Sequence, residues 1–179
     1  MCDVSFLIEY WPKIHESLNL MWSIARELAD KFLEVYDKVQ FSTANGNYIK
    51  IGGKWHLQRY PIPIIKIPIG EVGINLNRVS FVTCIYSKSL TEDFFSELMR
   101  LKGLNFEIYG GKDFFKTFYT SGIKQSPSTI LENIMKSSEK VVQIEVKRSI
   151  DDAYRIIEDI NEISKLIKQF RLQYISPNL

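Results

Sequence analysis

Between residues 48 and 60, six polar or aromatic side chains recur at even positions: Tyr48, Lys50, Lys54, His56, Gln58 and Tyr60. Successive side chains on a β-strand point to opposite faces, so residues of one parity on neighbouring strands in suitable register share a surface. Cationic and aromatic groups mixed on a sheet can stack bases and hold phosphates, as single-strand binders do. Left wet, the same surface is a solvated sheet face or a protein contact. The chain has 23 Lys and Arg against 21 Asp and Glu, a formal charge of +2. That balance demands neither nucleic acid nor anionic lipid. These six residues are therefore expected to form a ligand or partner surface.

Their grouping depends on how the strands turn. Ala44-Asn45-Gly46 and Ile51-Gly52-Gly53 read as hairpin signals. A two-residue turn at Gly52-Gly53 would set Ile51 opposite Lys54 and mix apolar with charged side chains, whereas three-residue loops keep the faces separate. Three-residue loops are thus expected, with Gly46 and Gly53 in the left-handed position. Val39, Phe41, Ile49, Ile51, Trp55 and Leu57 would then form the buried face of a meander.

Other chemistry-bearing residues have plainer readings. No phosphate-cradling loop, HExxH, CxxC or nucleophile elbow is present. His15 lies beside Glu16 on a helix flank, and neither His15 nor His56 has a metal-ligand neighbour at helical spacing. Neither a catalytic residue, a metal nor a cofactor is assigned. Gly110-Gly111 before Lys112-Asp113 reads as a turn. Glu92-Asp93 and Asp151-Asp152 suit the first turns of helices, where the macrodipole favours negative charge. Cys2 and Cys84 are too far apart in sequence for a zinc spacing, and no disulfide framework exists.

The positioning elements follow from periodicity. From Pro12 to Tyr36, Ile14, Leu18, Met21, Ala25, Leu28, Phe32 and Val35 recur at steps of four and three, with Trp22, Ala29 and Leu33 widening the stripe: an amphipathic helix with Pro12 in its first turn. Residues 3–10 are a candidate separate helical turn. Pro61 and Pro63 remove two donors from one side of a strand, which predicts a sheet edge, and Pro68 predicts a bulge or strand end. Strands are expected near Val72–Asn75 and Val79–Tyr86, joined by a turn at Leu76-Asn77. A helix starts at Ser89 or Thr91, with Ser89-x-x-Glu92 as a capping box, and runs to about Lys102. A strand at Asn105–Tyr109 leads into a short aromatic helix with Phe114, Phe115 and Phe118. Ser126-Pro127 caps a helix to about Lys136, and Val141–Val146 is the last strand. The final helix, Ser149–Tyr174, carries Ala153, Ile156, Ile160, Ile163, Ile167, Phe170 and Tyr174, a stripe that faces either the chain's own sheet or a homodimer seam.

Together these predict one α+β domain over residues 1–179, with a largely antiparallel mixed sheet and two long amphipathic helices and shorter ones mainly on one face. The first residues lack a leader pattern and no apolar run spans a bilayer, so a cytoplasmic, non-membrane protein is expected. A composition of 24 Ile and only 4 Ala, with abundant charge, hints at a thermophile.

Tyr60-Pro61-x-Pro63, Gly70-Glu71-Val72-Gly73, Phe118-Tyr119, Ser126-Pro127 and Val142-Gln143-Ile144-Glu145 together resemble a small archaeal family of uncharacterised proteins, a domain of unknown function. The likeness spans most of the chain after residue 10. It implies an archaeal cytosolic protein and carries no active residues across. The leading expectation is a non-enzymatic protein-interaction module forming a homodimer. The alternative is a small-ligand or nucleotide-binding enzyme built on Tyr48, Lys50, His56 and Tyr60, and the third is nucleic-acid binding, which the charge disfavours.

Overall fold

Helix α1 (Val4–Leu33) buries Met21, Ala25, Leu28 and Phe32, the four residues that the three-and-four spacing places on one stripe. The computed structural model describes residues 4–44, 47–51, 54–59, 62–110 and 116–177, with the backbone alone for 4–11, 14, 44, 47–51 and 54–59. Pro12 lies inside α1 and does not open it, so residues 4–10 belong to the same helix. Leu33 and Val35 are exposed, because the helix ends before the stripe does.

The main sheet contains β1 (Gln40–Ala44), β4 (Ile62–Ile67), β5 (Gly70–Ile74), β6 (Arg78–Tyr86), β7 (Phe106–Gly110), β8 (Lys116–Thr120), β9 (Val141–Ser149) and β10 (Tyr174–Ile175). Its order is β1-β4-β5-β6-β9-β7-β8, with β10 also on β6, and every described pairing is antiparallel. β2 (Asn47–Ile51) and β3 (Lys54–Arg59) form a separate two-stranded sheet. The chain between β1 and β4 is therefore an excursion and not the start of a meander. Because β1 returns to pair with β4, the proline-marked strand is internal. Pro63 stands opposite Thr43, one residue before β4 begins pairing with β5 at Ile64, a strand-start position at which a missing donor is tolerated.

One face of this sheet is apolar. Ile65, Ile67, Val72, Ile74, Val79, Phe81, Ile85, Val142, Ile144 and Val146 are all buried in a cluster with α1, α2 (Glu92–Arg100), α3 (Pro127–Lys136) and α4 (Ile156–Gln169). Thr91 caps α2 by accepting from the Phe94 amide at 3.2 Å, and Ser126 caps α3 by accepting from Thr129. The α2 cap is thus Thr91, not the Ser89 box. Ser89 lies in a 3-10 turn.

Two further expectations are corrected. Lys116–Thr120 is a strand, not part of an aromatic helix. Phe118 and Tyr119 are buried and Tyr119 stacks on Phe106 at 4.9 Å, pairing that β-prone Thr, Phe and Tyr favour. Phe114 and Phe115 lie outside the described residues. The last helix is also shorter than its pattern: β9 runs on to Ser149, a 3-10 segment occupies Ile150–Arg155, and Arg171 at φ 51° reverses the chain after α4. Ile156, Ile160, Ile163 and Ile167 are buried within this chain, so the stripe packs on its own sheet.

Candidate functional site

The face of the sheet opposite the helices presents the other parity of each strand. Register aligns Glu71 of β5, Val82 of β6, Glu145 of β9 and Glu107 of β7 in one row across four strands. On one side of that row lie Gly73, Ser80 and Lys147, and on the other Cys84, Gln143 and Tyr109. Strands alternating apolar on the helix side with polar here, as in Val142-Gln143-Ile144-Glu145-Val146-Lys147, build both surfaces at once.

A groove of about 630 Å³ lies over this face, a volume within the range of small-ligand sites. Val82, Cys84, Gln143 and Glu145 line it from the central strands, Ile62 and Ile64 from β4, and Asn75 and Arg78 from the β5–β6 end. Ile175 and Pro177 close the opposite wall. Two glycines shape it for different reasons. A Cβ on Gly70 would collide with the Val82 carbonyl oxygen and the Phe81 ring, so Gly70 permits close strand packing. A Cβ on Gly73 would meet only Ile62 Cδ1 at 3.8 Å and Ser80 Oγ at 3.9 Å. Gly73 leaves room that a larger side chain would fill.

Glu107 and Glu145 are directly opposed, an arrangement that like charges disfavour. Lys147 offsets it, with Nζ 2.6 Å from Glu107 Oε2 and 3.4 Å from Glu145 Oε2, and donates to Tyr109 Oη at 3.3 Å. Glu145 is only 9% exposed. Glu71 is 4.0 Å from Lys66 across β4–β5. Burial, and then the nearby Glu71 carboxylate, push the Cys84 thiol above its ordinary pKa. Among the described residues no group of His, Cys, Asp and Glu could hold a metal ion.

The residues expected to form the site from sequence fall elsewhere. Tyr48 and Lys50 are in β2, and Lys54, His56 and Gln58 in β3, while Tyr60 and both hairpin loops lie outside the described residues. The hairpin register pairs Tyr48 with Leu57, Ile49 with His56, Lys50 with Trp55 and Ile51 with Lys54. The register expected from a three-residue loop is not the one observed, since Ile51 stands opposite Lys54. The side chains of these strands lie outside the described residues.

The lesser candidates have ordinary roles. His15 is exposed and its Nδ1 is 3.2 Å from Asn19 Nδ2, one turn along α1. Glu92 and Asp93 occupy the first turn of α2, and Asp151 and Asp152 the 3-10 turn before α4. Among the described residues no helix is long and apolar enough to cross a membrane.

The groove residues were overlooked because their juxtaposition depends on pairings of β6 with β5, β9 and β10, the last two remote from it in sequence. The available signal was the polar parity of Gln143, Glu145 and Lys147 inside an otherwise β-branched strand.

The chain is similar in structure to a conserved hypothetical protein, Pfu-178653-001, from the archaeon Pyrococcus furiosus, with a TM-score of 0.75 and 26% sequence identity over 90% of this chain and 98% of that one. No curated protein matches it. Residues 9–162 match a family described as protein of unknown function (DUF3201), in agreement with the archaeal likeness of the sequence motifs, and the chain belongs to that family.

Proposed function

We propose that this chain is a binding module, not a catalyst, and that the groove on the uncovered sheet face takes a small amphipathic organic cation. The carrying observation is the charge of its lining: Glu71 and buried Glu145 face the groove, and the one ammonium beside Glu145, that of Lys147, is shared with Glu107 outside the groove. The groove's own lining holds two carboxylates, Glu71 and Glu145, against one cation, Arg78, which leaves one negative charge in excess, and at buried Glu145 water screens poorly. Ile62, Ile64, Val82 and Ile175 supply apolar walls for the body of such a ligand. Arg78 lies four residues along β6 from Val82, about 13 Å at strand rise, so it sits at the groove's end and not over the carboxylates.

Calorimetry with phenethylamine and 3-phenylpropionate tests the reading. The amine is expected to bind and the carboxylate not. Glu145→Gln should weaken the amine by about tenfold or more, since the variant removes one partner of a charge pair, and Gly73→Leu should abolish binding by filling the groove. Equal binding of both probes, or no binding of the amine at millimolar concentration, overturns it.

Self-association is the second reading. Leu20, Leu33 and Val35 are exposed on and just after α1, and Phe41 is exposed on edge strand β1, apolar surface of the kind a second copy would cover. Sedimentation equilibrium at micromolar protein decides it. A monomeric mass that does not change with concentration overturns the dimer.

A further inference from the structure

The β6 strand is paired on one edge by β9 along its whole length, Arg78–Tyr86. On its other edge β5 pairs only with Val79–Val82, and the C-terminal strand β10 takes over at Cys84 and Ile85. The wall that Ile175 and Pro177 give the groove is therefore made by a two-residue strand, not by the body of the sheet.

Little holds that strand in place. Gln173 to Ser176 are all exposed, and the nearest buried anchor before them is Leu172. Apart from the two ladder pairs, the described hydrogen bonds from this segment to the rest of the fold are Tyr86 N–H to the Gln173 carbonyl at 2.8 Å and Gln173 N–H to Ser89 Oγ at 3.1 Å. Segments with few buried apolar contacts and solvent-facing backbone bonds open far more often than the whole fold. Immediately before it, Arg171 holds φ at 51°, a left-handed conformation uncommon for a non-glycine residue. That conformation belongs to the cap that ends α4, in which Leu172 N–H donates to the Ile167 carbonyl at 2.9 Å and Arg171 N–H to the Lys168 carbonyl at 3.2 Å, so the chain is fixed as far as buried Leu172 and is free to move only beyond it.

We propose that residues Gln173–Pro177 are a gate that peels off the β6 edge beyond Leu172, exposing half-buried Cys84 further and widening ligand access to the groove. The proposal rests on the groove being the ligand site. When the gate opens, the β6 backbone at Cys84 and Ile85 loses its partner strand on that edge. A bound ligand that packs against Ile175 favours the closed state, so closure and binding are coupled.

Cys84 reports the opening directly. In the full chain carrying Cys2→Ser, the rate of Cys84 modification by a disulfide reagent such as dithionitrobenzoate is measured with and without phenethylamine. The rate in this Cys2→Ser protein should be insensitive to low urea, as local openings are, and the amine should slow it. Ile175→Gly, and separately a chain ending at Leu172, should raise it by about tenfold or more. Unchanged rates in a folded Ile175→Gly variant, or rates that follow global unfolding with urea, overturn the gate. Amine binding that Gly73→Leu abolishes, with no acceleration in Ile175→Gly, sinks the gate and leaves the groove. Acceleration in Ile175→Gly without any amine binding sinks the ligand reading, and the gating of ligand entry with it.

Discussion

Arg148 on β9 grips Asp159 on α4 through two parallel bonds, Nε to Oδ2 and Nη2 to Oδ1, each 2.6 Å. The side chains are 13% and 8% exposed, and the hydrogen bond to Asp159 raises the guanidinium pKa further. This ion pair joins sheet to helix on the otherwise apolar face, since Arg148 stands opposite Val79. Its orientation fixes how α4 lies across β9.

Removing one partner strands the other charge in a poorly solvated site. Asp159→Asn should lower unfolding free energy by about 3 kcal/mol, while the double change Arg148→Met, Asp159→Leu should recover most of the loss, as buried pairs replaced by apolar groups often do. Urea unfolding of the three variants checks this. A double variant no more stable than Asp159→Asn would contradict it.

Gly70 and Gly73 are three residues apart on one strand yet should respond oppositely. Gly70→Ala forces its Cβ into backbone and a packed ring, and a cost of about 3 kcal/mol is expected because neither neighbour can yield easily. Gly73→Ala meets nothing closer than 3.8 Å and should change stability by less than about 1 kcal/mol. Thermal unfolding of both variants gives the comparison, and similar losses would mean that the two backbones are not placed as described.

Features governed by neighbouring residues were legible in advance. Ser126-Pro127 marks the start of α3, Pro68 ends β4 before Gly70, and the Asn75 amide bonds the Arg78 carbonyl at 2.8 Å across the turn expected at Leu76-Asn77. Alternation in β6 likewise sorts Phe81 and Ile85 from Ser80 and Val82. Features set by partners remote in sequence were not legible. Whether Pro63 is at an edge depends on β1, twenty residues earlier in register, returning to cover it. Whether Ile150–Arg155 continues a helix depends on β9 extending to meet Arg78 at Ser149. The groove belongs to this second kind, because Glu71, Val82 and Glu145 become neighbours only through two separate strand pairings.

Lys147 is expected to be worth more to the fold than a surface cation. Lys147→Met leaves Glu107 and Glu145 opposed without compensation and should destabilise by about 1 to 2 kcal/mol. Adding Glu107→Gln should restore most of that, because one carboxylate then faces a neutral amide. The same Lys147→Met variant should bind phenethylamine more tightly than wild type, since the groove-lining Glu145 carboxylate loses its neighbouring cation. Weaker amine binding by a folded Lys147→Met protein would argue against a cation site.

The raised Cys84 pKa predicts both reactivity and a pH effect. Its causes are burial first and Glu71 second, so in a Cys2→Ser background the pH profile of iodoacetamide alkylation should lie at higher pH than that of a free thiol, and Glu71→Gln should move it back only part of the way. The linkage sign follows. A thiol whose pKa is higher folded than unfolded holds its proton more firmly in the native state, so its stabilising contribution is complete below the unfolded pKa. That contribution is lost as pH rises through the folded one. Urea midpoints of the Cys2→Ser protein should therefore fall more between pH 7.5 and pH 10 than those of a Cys2→Ser, Cys84→Ala variant, in which the same lysines and tyrosines titrate but this thiol does not. Parallel declines in the two proteins would mean that Cys84 is as well solvated folded as unfolded.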